Sequence, residues 1–189
     1  GISNFSSTQT FPNYRLIQGN IIGGIITNTT NNTAMHLVGI AHINSVGRPV
    51  NVSGNQLHNL RAQSSSTEAQ NLIGVSYNAS GGFVNVGNNI IEGLYNGTNG
   101  VNSNGITSGI WIRASQNATV VNNSIQNLNS AFGNNQTDFA AAVSGIVAYA
   151  TTDLVVRDNT IYNLTIIRND NNISLQAIGL FVSKSETGN

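Results

Sequence analysis

The chain has 189 residues and a formal net charge of zero; 7% of its residues are charged, 39% are hydrophobic and about one in six is Asn. This charge balance offers no basic surface for nucleic acid or anionic lipid, so neither is an expected partner. Cys is absent, which excludes disulfides and thiolate metal sites, and no stretch approaches the roughly 18 apolar residues of a membrane-spanning helix.

Five segments of the chain superpose without gaps when they are read from the amino to the carboxyl end. They are LIQGNIIGGI at 16–25, NVSGNQLHNL at 51–60, NVGNNIIEGL at 85–94, TVVNNSIQNL at 119–128 and VVRDNTIYNL at 155–164. Such a repeat is typical of a solenoid, in which each repeat forms one coil and buries its apolar side chains against its neighbours.

One column of the superposed segments holds Asn in every repeat, at successive spacings of 35, 34, 34 and 36 residues. Asn tolerates the left-handed backbone conformation, so we interpret this column as a turn. When coils stack, the side chains of the column should lie above one another and hydrogen-bond as a ladder. The ladder consists of Asn20, Asn55, Asn89, Asn123 and Asn159.

Apolar columns accompany the Asn column, three residues before it and two and five residues after it. A second block, Gly followed by Ile, Val or Leu, recurs with the same period. Its apolar residues mostly alternate, as they do in a strand with one buried face, and no block has helical periodicity. These blocks begin at Gly1, Gly39, Gly74, Gly109, Gly145 and Gly179.

These columns predict an all-β fold, a right-handed parallel β-helix of about five coils, each with 34–36 residues, about three short strands and one inserted loop. Residues 1–189 then form a single solenoid segment. Because neither end carries a capping helix or a charged segment, we expect this segment to be internal to a longer chain.

Each repeat has a polar segment after its last apolar column, and we expect these segments to project as loops from one edge of the solenoid. Their amide and hydroxyl side chains suit a carbohydrate or another polar partner; the alternative is that the loops only hydrogen-bond to one another. The segments are 26–36, 61–71, 95–105, 129–142 and 165–176.

The stretch GIWIRASQNATVVNNSIQNL at 109–128 resembles the parallel β-helix repeat of the pectate-lyase-like superfamily, and residues 74–94 and 145–164 resemble it too. The resemblance covers essentially the whole chain and implies the parallel β-helix fold. Coils of that superfamily are shorter, which is why we assign the surplus residues to loops. Lyases, hydrolases, phage tailspikes and adhesins share this scaffold, so it does not specify a chemistry.

Polysaccharide lyases and hydrolases need two or three clustered carboxylates with an Arg or Lys nearby. The best group among the seven acids is Asp153 and Asp158 beside Arg157, for which a solvated turn is the simpler interpretation. His36 and His42 have no second ligand at metal spacing. We therefore assign no catalytic residue and expect no metal and no cofactor.

Four residues are candidates for ligand binding. His58 and Glu92 share an outward column on adjacent repeats, which predicts a cross-strand ion pair or hydrogen bond, with binding as the alternative. Trp111 and Phe181 alternate out of phase with their buried neighbours and should face outward. An exposed aromatic ring can stack on a sugar, although such rings more often pack beneath a loop.

Regular ladders, sparse acids and the absence of Cys favour a non-catalytic structural or adhesive module of a large secreted or cell-surface protein, similar to bacterial β-helical adhesins. Its expected location is extracellular or at the cell surface. Its expected partners are further coils of the same chain, stacked copies of it, or carbohydrate. The alternative is the β-helix of a polysaccharide lyase, hydrolase or phage tailspike whose catalytic acids lie elsewhere.

Overall fold

The computed structural model describes residues 2–5, 15–29, 35–44, 49–64, 70–79, 82–98, 105–131, 142–167 and 176–184, and all regular structure in these ranges is β-strand. The strands are β1 (Ile2–Phe5), β2 (Arg15–Gln18), β3 (Ile21–Gly23), β4 (Ile26–Thr29), β5 (Met35–Asn44), β6 (Val50–Ser53), β7 (Gln56–Ser64), β8 (Gln70–Ala79), β9 (Phe83–Gly87), β10 (Ile90–Thr98), β11 (Gly105–Val121), β12 (Ser124–Ser130), β13 (Val143–Arg157), β14 (Thr160–Ile166) and β15 (Ala177–Lys184).

Parallel pairing between repeats stacks these strands into three walls. The first wall contains β1, β5, β8, the first parts of β11 and β13, and β15. The second wall contains β2, β6, β9 and the second parts of β11 and β13. The third wall contains β3 and β4, then β7, β10, β12 and β14. The fold is therefore a parallel β-solenoid, as the repeat predicts.

The pairing register follows the columns of the sequence. In the second wall Val52 pairs with both Ile17 and Val86, and in the third wall Ile91 pairs with both Leu57 and Ile125. In-register stacking places like side chains directly over one another, so the apolar columns become continuous rows that fill the interior.

About three turns of the solenoid are complete, fewer than the five that the sequence predicts. In three successive repeats, over 35–64, 70–98 and 105–130, every strand pairs with a neighbour on both sides. Described strands of the outer repeats mostly pair on one side only. As a result, Leu180 and Val182 of β15 are 46% and 49% exposed, although they continue interior rows.

The prediction of long inserted loops is wrong in extent. Strands β7 and β10 continue through Ser64 and Thr98, well past the last apolar column, and β5 begins already at Met35. The alternation of buried and exposed side chains also continues there, since Ala62 is fully buried and Arg61 beside it is exposed. The described surplus residues that directly follow the last apolar column therefore lengthen the third wall, because coil-to-coil backbone hydrogen bonds persist there. The remainders, 30–34, 65–69, 99–104, 132–141 and 168–175, lie outside the described residues.

Two columns of left-handed residues bend the chain, and neither is the Asn column that the sequence analysis interprets as the turn. The first column immediately precedes each ladder Asn, and the second follows it by four residues. Every member is Gly, Asn or Asp, because other side chains are strained in this conformation. The members are Gly19, Gly54, Asn88, Asn122 and Asp158 in the first column and Gly24, Asn59, Gly93, Asn127 and Asn163 in the second, with φ between 54° and 68°.

The Gly of each internal Gly-Ile block, at Gly39, Gly74, Gly109 and Gly145, faces the interior, where there is no room for a side chain. A Cβ on Gly109 would lie 2.6 Å from Cγ2 of Ile125 across the core and 2.7 Å from the carbonyl oxygen of Gly145 in the next coil. A Cβ on Gly179 would meet nothing within 4 Å. The internal glycines therefore allow the first wall to approach the third wall closely.

Gly109→Ala is expected to lower the free energy of unfolding by about 1–3 kcal/mol, because the methyl group overpacks a site closed partly by backbone. Gly179→Ala adds the same methyl in open space and should change it by less than about 0.5 kcal/mol. Urea unfolding followed by circular dichroism measures both variants. Equal effects of the two substitutions would contradict the packing of the Gly column.

Candidate functional site

The ladder of Asn side chains lies at the junction of the second and third walls. The Nδ2 of each of the first four ladder Asn residues donates a hydrogen bond of 2.9 Å to the Oδ1 of the Asn in the next coil, so the bonds run from Asn20 to Asn159 without a break. The same Oδ1 accepts the backbone N–H of the Asn in the preceding coil at 3.0–3.1 Å. The five side chains therefore form one continuous ladder.

Each internal ladder Asn connects three consecutive coils. The Nδ2 of Asn89 donates upward to Asn123 and also downward to the carbonyl oxygen of Val52, while its Oδ1 accepts both donors of Asn55. Asn89 is buried, so water cannot replace these partners. The ladder satisfies the backbone groups that the sharp bend takes out of the regular sheet.

Asn89→Ala should lower the free energy of unfolding by about 3 kcal/mol or more, because it removes the buried hydrogen bonds of the Asn89 side chain to Val52, Asn55 and Asn123 and takes away the acceptor of the Asn55 backbone N–H. The matched control is Asn85→Ala, which removes one half-buried amide hydrogen bond, to Asn51, between two of these three coils. We expect a loss of about 1 kcal/mol or less from the control. Chemical denaturation measures both; similar losses would show that burial in the ladder adds nothing.

The outward row that contains His58 and Glu92 runs on to Gln126 and Tyr162. The carboxylate of Glu92 accepts a 2.8 Å hydrogen bond from Nε2 of Gln126, and the Tyr162 hydroxyl donates to Oε1 of Gln126. His58 and Glu92 are adjacent in register as expected, but the described residues form no ion pair between them. The His58 ring instead covers Gly23, where an added Cβ would lie 2.2 Å from it.

Trp111 and Phe181 lie on the outer side of the first wall, on either side of Val147. The Tyr149 ring contacts both aromatic rings, with centroid distances of 6.4 Å to Trp111 and 5.5 Å to Phe181. Together with Ile178 they bury Val147 completely. The structure thus packs these two candidates into an apolar cluster outside the wall; stacking on a sugar stays a prediction for both.

The carboxylates of the described residues do not gather into one site. Arg157 and Asp158 form an ion pair at the exposed bend after β13, whereas Asp153 lies at the other end of the second wall and donates its backbone N–H to Asn117. No group of three His, Cys, Asp or Glu side chains that could hold a metal occurs in the described part of the chain. The remaining acids, Glu68, Asp138, Asp170 and Glu186, lie outside it.

His42 and Tyr77 form an aromatic pair inside the solenoid, which the sequence analysis does not anticipate. Their rings stack at 5.3 Å with an interplanar angle of 12°, and both side chains are buried. Neither ring nitrogen of His42 has a hydrogen-bond partner among the described residues. Burial, and secondarily the positive charge of Arg15, lowers the pKa of His42 from 6.5 to about 4. His36, in contrast, is exposed and contacts Asn71.

The free energy of unfolding should fall by about 2 kcal/mol between pH 7 and pH 5. The unfolded chain binds a proton at His42 below pH 6.5 and the folded chain does so only near pH 4, so the stability present above pH 6.5 is lost as the pH falls. His42→Phe keeps an aromatic ring but removes the titratable nitrogens, so it should abolish most of the pH dependence of stability. His36→Gln should leave that pH dependence intact. Urea unfolding at both pH values tests this; an unchanged slope in His42→Phe would contradict it.

A groove of about 240 Å³ lies on the outer side of the third wall, at its second left-handed bend. This groove is not predicted from the sequence, although the column of Gly and Asn residues that forms the bend is visible in the superposed segments. Three residues of the bend and three from the outward row two positions later line the groove. They are Asn59, Gly93 and Asn127, and Arg61, Tyr95 and Asn129.

No family model matches this chain, and no curated protein or solved structure is significantly similar to it. In the part of the chain that the structure describes, no helix is long and apolar enough to cross a membrane. The function of this chain is therefore inferred from the parallel β-solenoid and from the side chains on its outer faces.

Proposed function

We propose that this chain is a non-catalytic structural module of a large secreted or cell-surface protein, similar to bacterial β-helical adhesins of the pectate-lyase-like type, which holds polar outer faces in position for glycans or other surfaces. The observation that carries the proposal is the unbroken Asn ladder from Asn20 to Asn159. Such a ladder links each coil to the next by buried hydrogen bonds, and a rigid support needs coils that are linked in this way.

The interior supports this proposal. Fully buried rows such as Leu60, Leu94 and Leu128 fill the space between the walls, and packing of this kind is close and resists deformation. The solenoid therefore has the features of a support: a stiff axis, and outer rows whose side chains change from coil to coil without altering the interior.

The outer faces carry amide pairs, beside exposed apolar side chains such as Leu16, Ile21 and Phe83. Asn51 and Asn85 hydrogen-bond across the outer side of the second wall, and Asn127 and Asn163 do so on the third. Amide groups with a few aromatic rings suit wet, uncharged or weakly charged surfaces such as carbohydrate. Two of the described carboxylates, Glu92 and Asp158, are engaged by Gln126 and Arg157, which favours display over acid–base catalysis.

The test has two measurements on the purified chain and its source cells. Antibodies against the chain should label intact cells, and labelling that requires permeabilisation would overturn the surface location. The chain should also leave soluble polysaccharides uncut, without new reducing ends and without the ultraviolet absorbance of an unsaturated product. Sustained cleavage by the pure chain would replace the proposal with a lyase or hydrolase.

A further inference from the structure

The groove on the third wall has the composition of a saccharide site rather than of a protein interface. It contains one aromatic ring, one guanidinium group and three amide side chains, arranged around Gly93. Since Gly93 has no side chain, the backbone of the middle coil forms the floor of the groove, and Asn59 and Asn127 stand in the coils on either side. Amides beside an exposed backbone offer the donors and acceptors that sugar hydroxyl groups require.

The Tyr95 ring lies over the chain that follows it. A Cβ on Gly97 would lie 2.4 Å from Cε1 of Tyr95, so the ring rests on the backbone of Gly97 in a place that only glycine leaves open. The half-buried ring is thereby fixed before any ligand arrives, and the rest of it borders the groove. A fixed aromatic ring can stack on the apolar face of a pyranose. Because the ring is already ordered, binding costs it little further conformational entropy.

Arg61 sets the charge of the groove. It pairs in register with Tyr95, one coil away, and its side chain is exposed. No acid lines the groove, and the ion pair formed among the described residues is that of Arg157 and Asp158, so Arg61 is not neutralised there. A guanidinium group binds a carboxylate through two parallel hydrogen bonds, which favours an acidic ligand over a neutral one.

The spacing of the coils fits a chain of sugars. Arg61, Tyr95 and Asn129 occupy the same row in three consecutive coils, and adjacent parallel strands are about 4.8 Å apart. This spacing is close to the length of one sugar unit, so an oligosaccharide lying along the solenoid axis would meet one side chain of the row for each unit.

We propose that this groove binds an acidic oligosaccharide, with a uronate carboxylate on Arg61 and the neighbouring sugar ring stacked on Tyr95. The inference rests on the proposed function, from which it takes glycans as the class of partner. It adds which wall and which residues bind the ligand, and that the ligand is acidic. It also moves the site from the loops and from Trp111 and Phe181 to the third wall.

The experiment titrates the chain with tetrasaccharides from hyaluronan, alginate and heparosan, each with a carboxyl-reduced neutral counterpart, by calorimetry at low salt. We expect at least one acidic tetrasaccharide to bind, its reduced counterpart to bind at least tenfold more weakly, and the affinity to fall with added salt. Equal binding of the acidic and the neutral form would overturn the role of Arg61.

The variants locate the site. Arg61→Gln and Tyr95→Ala should each weaken binding at least tenfold, while Tyr95→Phe should keep most of it. Arg113→Gln removes the same charge from an exposed position on the first wall and should have no effect. Circular dichroism and the thermal midpoint establish that each variant is folded, so that a loss of binding in a folded variant supports the groove.

The outcomes separate this inference from the proposed function. If the chain binds an acidic tetrasaccharide and the Arg61 and Tyr95 variants bind it equally well, the groove is overturned and glycan display continues from another face. If the chain binds neutral glycans only, the groove is overturned in the same way. If it binds no glycan, the glycan role and the groove both fall, while surface labelling of cells still decides the structural role.

Discussion

The in-register stacking of like residues, one coil above the next, is the constraint on which this molecule depends. Parallel backbone pairing alone would tolerate a slip between coils, but the Asn ladder does not, since a slip of one residue would remove Asn89 from both Asn55 and Asn123. The ladder thus fixes the register at the sharpest bend, and the apolar rows of all three walls follow from it. The low charge has the same origin, because a stacked row would place like charges side by side.

Glycine in the stacked rows allows two walls to lie close together across the interior. At the Gly-Ile blocks the first wall approaches the third wall so closely that the methyl groups of Ile91 and Ile125 occupy the space of a missing Cβ. At Gly97 the same absence of a side chain lets the Tyr95 ring lie over the backbone on the outside. The close approach inside and the covered backbone outside are two consequences of a missing side chain.

The interior is not uniformly apolar, because the described core contains the titratable side chains of His42 and Tyr77. His42 and Tyr77 occupy a row that Ile112 and Ala148 continue in the next coils. Burial keeps His42 neutral by lowering its pKa, so the stacked pair behaves as a packed aromatic unit near neutral pH. The outer rows, in contrast, vary freely in chemistry, and a groove can arise there without any change to the core.

The sequence by itself determined the all-β solenoid, the register of its columns and the Asn ladder, because a repeat of 34–36 residues with fixed apolar and Asn positions has few other ways to bury its side chains. Tertiary structure alone decided the rest. Whether the surplus residues form loops or longer strands depends on coil-to-coil hydrogen bonds, and the partner of Glu92 and the packing of Trp111 around Val147 depend on side chains in adjacent coils. Contacts of this kind join residues about 35 positions apart, and a linear pattern gives their alignment but not their geometry.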